Sequence, residues 1–377
     1  MQLHTIAGQP SWLINNDRVR AAVTRQGGHL GPVGFRLGRR WIEPYDLAPW
    51  AEEPLPKGLP PLMRAMRGDF FCLPFGDNAR PFRGEKYPPH GETANAPWQF
   101  VSAADGELRL TMNTKIRRGR VDKTIRTVSG HSALYCRHTV SDMRGPMSFA
   151  HHAILKLPGD GAGRVSVSGM KFGQVLPVPF ENPAAGGYSI LKPGAKFTAL
   201  QKVPRADGAL ADLSVYPARE GFEDLVLIAN KFTAAAPFAW TALTVAAAGY
   251  VWFALKDPRV LPASVFWLSN GGRHYAPWNG RHRHAIGLEE VCSYFHLGLA
   301  QSAQKNHLNR AGVPTVARLN PRRPLTVNYI MAVAAIPKKF DLVQTIRPVA
   351  DREAVQLTAR SGVTVSMPLD WRFLQNA

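Results

Sequence analysis

Short apolar runs separated by turn residues dominate the chain. The opening stretch WLINNDRVRAAVTRQGGHLGPVGFRLGRRWIEP divides at Asn15-Asn16, Gly27-Gly28 and Gly38. Such breaks between half-apolar runs predict three short strands. GELRLTMNTKI, RVDKTIRTVSGHSALYCRHTVSD and MSFAHHAILKLP repeat the pattern, and RVSVSGM, DLVLIAN, SVFWLSN, LTVNYIMAVAAI and AVQLTA carry it almost to the C-terminus. Helical periodicity over twelve or more residues is confined to LGLAQSAQKNHLNRAG. A long series of short strands at near-regular spacing predicts an all-β antiparallel sandwich. No internal repeat or linker-like shift of composition divides the chain, so residues 1–377 are read as a single domain.

Two segments interrupt the pattern. Residues 44–61, PYDLAPWAEEPLPKGLPP, are rich in proline and predict a stiff irregular loop, and residues 177–197 predict a second long loop. Loops of this length often form the rim or lid of a site. The uncharged span from Phe232 to Leu255 is long enough to cross a bilayer. Pro237 and Gly249 interrupt it, however, and FAWTALTV and YVWFAL read as two buried strands joined by an alanine-glycine turn. No membrane association is therefore expected.

Composition narrows the class. Hydrophobic residues make up 45% of the chain and charged residues 19%, which describes a full globular core and excludes a disordered chain. Cys72, Cys136 and Cys292 lack zinc-type spacing and read as reduced thiols of a cytoplasmic protein; no signal segment precedes them. The formal net charge of +19 raises the possibility of a polyanion partner. The basic residues are scattered through RLGRR, KIRRGRVDK, GRHRH and NPRRP without a nucleic-acid-binding motif, so no nucleic-acid partner is expected. His282 and His284 have metal-like spacing, but no third ligand accompanies them, and they read as part of a basic loop.

The candidate chemistry lies in an ordered set of motifs. RGDFFCLPFGDN (67–78) is followed by HGETANAPW (90–98), then HTVSD and HHAILKLP (151–158), then IGLEEV (286–291) and ARLNPRRPLTVNY. In this order the set resembles the aldose 1-epimerase superfamily, which includes the galactose mutarotases and the hexose-6-phosphate mutarotases. The resemblance spans nearly the whole chain and implies a large galactose mutarotase-like β-sandwich with a shallow polar cleft on its concave face. It implies aldose 1-epimerisation of a small-molecule sugar, with no cofactor and no metal. Such chemistry needs an acid at the ring oxygen and a base at the anomeric hydroxyl. The resemblance places His152 as the acid, Glu289 as the base, and His90 as a group that positions the sugar. Side-chain alternation along strands turns His151 away from His152 and Glu290 away from Glu289. Arg67, Asn78 and Arg80 are candidates to bind sugar hydroxyls, or they serve turns; Trp98 offers a stacking surface, or it belongs to the core.

The sequence departs from the family at three places. Ala94 stands where the hexose-phosphate branch carries arginine, Asp69 replaces the second glycine of the first motif, and Ala153-Ile154-Leu155 follow the second histidine. These departures point to an unphosphorylated sugar. They also keep open a non-catalytic sugar-binding or sugar-sensing protein on the same fold; the net charge of +19 keeps open, from another class, a basic polyanion-binding protein.

Overall fold

A computed structural model describes residues 1–233, 236–350 and 352–375. Among these, two large antiparallel sheets of twelve and nine strands pack face to face, joined by three small sheets. The middle of the larger sheet runs, in spatial order, Asp69–Cys72, Phe149–Lys156, Ala285–Cys292, Ala263–Asn270 and Phe222–Asn230. The N-terminal strands Gln9–Asn15, Val19–Thr24 and Leu30–Leu37 extend it on one side, and Met170–Val175 on the other. This is the antiparallel sandwich that the strand pattern predicts.

Burial explains why some strands alternate cleanly and others do not. Glu107–Thr114, near an edge, alternates buried and open positions, whereas Ala263–Asn270 and Ala285–Cys292 are buried at every position. A strand covered on both faces reads as an apolar run and not as a period of two. The inner face of the larger sheet meets the nine-stranded sheet through Val33, Phe35, Val226, Phe266 and Leu288. The outer face of the nine-stranded sheet is covered by a three-stranded sheet, Val343–Pro348, Ala354–Ala359 and Thr364–Pro368, packed on Val251, Phe253 and Ile330. The uncharged span beginning at Phe232 supplies two strands of the nine-stranded sheet, Ala239–Val245 and Tyr250–Lys256, which pair with each other; residues 234–235 lie outside the described residues. No helix among the described residues is long and apolar enough to cross a membrane.

Register then decides which side chains share a face. His152 lies opposite both Glu289 and Phe70, and His151 opposite Glu290 and Phe71. Successive residues point to opposite faces, so one set faces the outer side of the larger sheet and the other the inter-sheet core. In the core, His151 Nδ1 is 2.9 Å from Asp69 Oδ2, and its ring stacks on Tyr329. Glu290 forms a buried ion pair with Lys256, which comes from the opposing sheet, and accepts hydrogen bonds from Ser264 (2.7 Å) and Thr241 (2.5 Å).

Candidate active site

On the outer face of the larger sheet, Phe70, Leu225, Trp267, His152 and Glu289 form the floor of a cavity of about 160 Å3. A cavity of about 150 Å3 is enough to hold one six-membered ring. The long loops close it from above. The helical turn Pro61–Ala65, which ends the proline-rich segment, contributes Leu62 and Met63, and the second loop contributes Phe180. The wall is mainly aromatic and aliphatic, so the expected shallow polar cleft is corrected to a narrow, largely apolar cavity. The covering loops are the reason. Broader open depressions elsewhere, such as that beside Arg64 and Pro97, bring no comparable acid–base pair together.

His90, His152 and Glu289 all line this cavity. His152 Nε2 lies 3.2 Å from Glu289 Oε1, and its ring stacks on Phe70 at 4.5 Å between centroids. Burial pushes Glu289 well above the usual carboxylate range, with the charge of Glu290 adding to it. Burial likewise holds His152 well below the ordinary imidazole value, with His90 adding to it. Both shifts favour the uncharged form of the pair over the ionised one. Gly287 makes room for it, because a Cβ at that position would lie 2.7 Å from Glu289 Oε1 and 3.1 Å from the Trp267 side chain.

His90 arrives from a loop and needs its neighbour to do so. Its own backbone is left-handed, with φ of 60°, and its N–H donates to the Gly76 carbonyl. Gly91 follows at φ of 75°, where a Cβ would overlap the Leu73 carbonyl oxygen. The His-Gly pair therefore presses the loop onto the chain beside Leu73 and turns the imidazole inward. There it meets Phe75 and His152 edge-on, at 5.2 and 5.0 Å. Burial lowers its pKa to about 4, so it is neutral. Its Nδ1 sits 3.4 Å from the Cys72 thiol, which burial keeps protonated. In the tautomer whose Nδ1 accepts from that thiol, the ring proton sits on Nε2, where a ligand oxygen can accept it.

The three candidates for sugar hydroxyls, Arg67, Asn78 and Arg80, and the candidate stacking surface Trp98 do not line the cavity. Arg67 is fully buried, and its guanidinium donates to the carbonyls of Ile6, Ala7 and Ala65, tying down the N-terminal hairpin. The Asn78 amide donates to the carbonyls of Pro74, Gly76 and Pro88 and accepts from Leu299 N–H, which staples two loops. Arg80 is exposed. Trp98 belongs to the inter-sheet core, with its indole N–H on the Thr93 carbonyl at 3.0 Å. In each of the three buried cases, backbone carbonyls take up the donors that a ligand would need. His282 is also corrected. It lies in the basic loop Arg281-His282-Arg283-His284, but its side chain is buried and bridges Ser269 (2.6 Å) and Asp46 (3.0 Å).

In their place the fold supplies residues that sequence reasoning missed: Trp267, Trp278, Arg273, Asp77 and His296. Trp267 is fixed by its N–H on Glu223 (2.8 Å) and by stacking on His282. The local signal available was the NGGRHY turn, whose arginine follows two glycines. Nothing local showed that the turn folds back over the histidine strand.

No protein-family model matches the sequence, and a search of curated proteins finds no match. Solved structures do match. A candidate aldose 1-epimerase from Escherichia coli K12 superposes with a TM-score of 0.56 at 15% identity, over 87% of this chain and 100% of its own. A galactose mutarotase related enzyme from Lactobacillus acidophilus gives 0.56 at 10% identity, over 87% and 98%. A galactose mutarotase-like protein from Lactobacillus casei gives 0.54 at 12% identity, over 86% and 100%. The fold is that of the galactose mutarotase-like proteins. Within this mutarotase-like sandwich the His152–Glu289 pair occupies the outer face of the larger sheet, under the two long loops.

The buried histidines make stability depend on pH. His90 has a folded pKa of about 4, and His29 and His296 of about 3, against an ordinary value near 6.5. The unfolded chain therefore binds these protons first, and their contribution, complete above about pH 6.5, is lost as pH falls towards 4. Burial raises Asp224 to about 7, and that group acts in the opposite direction over much of the same range. The His90 share is accordingly read as a difference. Between pH 7 and 4.5, urea midpoints of His90→Gln should fall less than those of the unaltered protein. Equal losses would show that His90 accepts a proton without leaving its place.

Proposed function

We propose that the protein binds the ring form of a monosaccharide in this cavity and interconverts its anomers by general acid–base catalysis. The observation that carries the reading is the buried His152–Glu289 pair, Nε2 and Oε1 3.2 Å apart, on the floor of a cavity the size of one ring. Ring opening takes the proton from the anomeric hydroxyl, delivers a proton to the ring oxygen and breaks the bond between C1 and that oxygen. Rotation of the resulting aldehyde and the reverse steps give the other anomer. The pair gives one proton and takes one, so nothing else is consumed.

Burial bears on which member does which. With the pair uncharged, the Glu289 carboxyl is the proton donor and the His152 imidazole the acceptor. The roles expected from the family resemblance, His152 as acid and Glu289 as base, belong to the ionised form of the same pair. His90 supplies an Nε2–H donor to hold a sugar oxygen beside them. Polarimetry on freshly dissolved α-anomers of aldohexoses and aldopentoses tests the reading. The expected result is an approach to anomeric equilibrium faster than in buffer for at least one sugar. Rates equal to buffer for every sugar would defeat the enzymatic reading and leave a non-catalytic sugar-binding protein.

A further inference from the structure

Arg273 is the cation of the cavity wall, and the acid–base scheme makes no use of it. Its Nε donates to Glu181 Oε1 at 2.7 Å, and the other oxygen of that carboxylate accepts from Tyr275 O–H at 3.2 Å. The guanidinium carbon lies 4.6 Å from the Trp278 ring centre and 5.2 Å from that of Phe180, so aromatic faces hold its plane. The terminal nitrogens Nη1 and Nη2 have no hydrogen-bond partner among the described residues, although only 16% of the side chain is exposed. A guanidinium fixed at Nε with both terminal groups open presents two parallel donors to whatever enters the cavity.

The charge around it decides what that ligand is. Glu181 already pairs with Arg273. Glu223, whose charge also acts on Arg273, accepts from Trp267 Nε1 (2.8 Å), Ser269 Oγ (2.9 Å) and Gly272 N–H (3.3 Å). Burial pushes Glu223 above the usual carboxylate range, so the counter-charge fixed by geometry is Glu181. One cation therefore stands already paired with a carboxylate, and the neighbouring His90, His152 and His296 are neutral. A phosphate or carboxylate entering here finds no surplus positive charge, and burying it unpaired is costly. The net charge of +19 is diffuse, and salt screens it over about 8 Å at physiological ionic strength. Hydroxyl oxygens need only donors.

We infer that Arg273 is a specificity residue that grips adjacent hydroxyls of a neutral sugar ring and selects against sugars carrying a carboxylate or phosphate. This deepens the reading of the cavity as a monosaccharide site and rests on it. Calorimetry in physiological salt with 1,5-anhydro-D-glucitol and 1,5-anhydro-D-galactitol tests it, because these pyranose rings lack the anomeric hydroxyl and report binding without turnover. D-glucuronate and D-glucose 6-phosphate serve as the anionic arms. At least one anhydrohexitol should bind, and both anions should bind more weakly. Arg273→Gln should weaken that binding on the order of ten- to hundredfold, the range for hydrogen bonds to a charged group. Arg273→Lys keeps the charge opposite Glu181 and Glu223 but loses the fork; it should be weakened too, and it remains the usable variant should the glutamine form fail to fold. Tighter binding of either anion, no binding of either anhydrohexitol, or unchanged affinity in a folded Arg273 variant would overturn the inference. Intact anhydrohexitol binding without any mutarotation would defeat the proposed activity alone.

Discussion

Glu289→Gln should lower the mutarotation rate by about 10²–10⁴-fold, the usual cost of losing a positioned proton-transfer group, while the fold and sugar binding persist. The substitution is nearly isosteric. Burial already disfavours the charged form of the Glu289 carboxyl, so a neutral amide suits the same surroundings. It can still hydrogen-bond His152 Nε2, the partner at 3.2 Å. What it loses is the exchangeable proton, without which the pair cannot both give and take. Polarimetry measures the rate, and calorimetry with an anhydrohexitol checks that binding survives. A variant as fast as the unaltered protein would show that His152 works with another group, and the proposed pair would have to be abandoned.

Lys256→Met should destabilise the protein by about 3–5 kcal/mol, the cost of leaving one partner of a buried ion pair without the other. Lys256 and Glu290 come from opposing sheets and are each about 1% exposed. The lysine also donates to the Ala263 carbonyl at 2.7 Å and to Ser264 Oγ at 3.1 Å. Removing it strands a carboxylate in the inter-sheet core, with Ser264 and Thr241 as its remaining donors. Against a total stability of roughly 5–15 kcal/mol for a folded domain, that loss is large. Lys256→Met combined with Glu290→Met should recover most of it, since apolar replacement of a whole buried pair is often neutral or better. Urea unfolding of the three proteins decides. A single variant as stable as the unaltered chain would mean that Glu290 takes up a proton at little cost. The two expected results assign adjacent glutamates opposite parts: Glu289 in turnover, Glu290 in cohesion.

Much of this was legible in sequence because it depends on local pattern. Short apolar runs between Gly, Pro and Asn breaks determine a strand-rich sandwich, since the spacing of two is a property of the extended backbone itself. The same alternation separated His152 from His151 and Glu289 from Glu290 before any pairing was known. The register shows the consequence, with His152 opposite Glu289 on one face and His151 opposite Glu290 on the other. The order of short motifs marked which histidines and which glutamate to follow.

The rest depends on which backbone carbonyls and which loops come near a side chain, and no window of sequence carries that. Arg67 has the residue type and motif position of a ligand-binding group, yet the carbonyls of Ile6 and Ala7, some sixty positions away, take up its donors. Arg273 sits in an ordinary-looking turn, yet Glu181 and Trp278 place it in the cavity wall with its terminal donors open. The narrowness and apolar lining of the cavity come from loops folded over the sheet, with Met63 and Phe180 brought together across more than a hundred positions. Local backbone preference and side-chain alternation are encoded residue by residue. Long-range hydrogen bonds and burial exist only once distant strands have paired, and it is that burial which raises the Glu289 proton affinity and lowers that of His152.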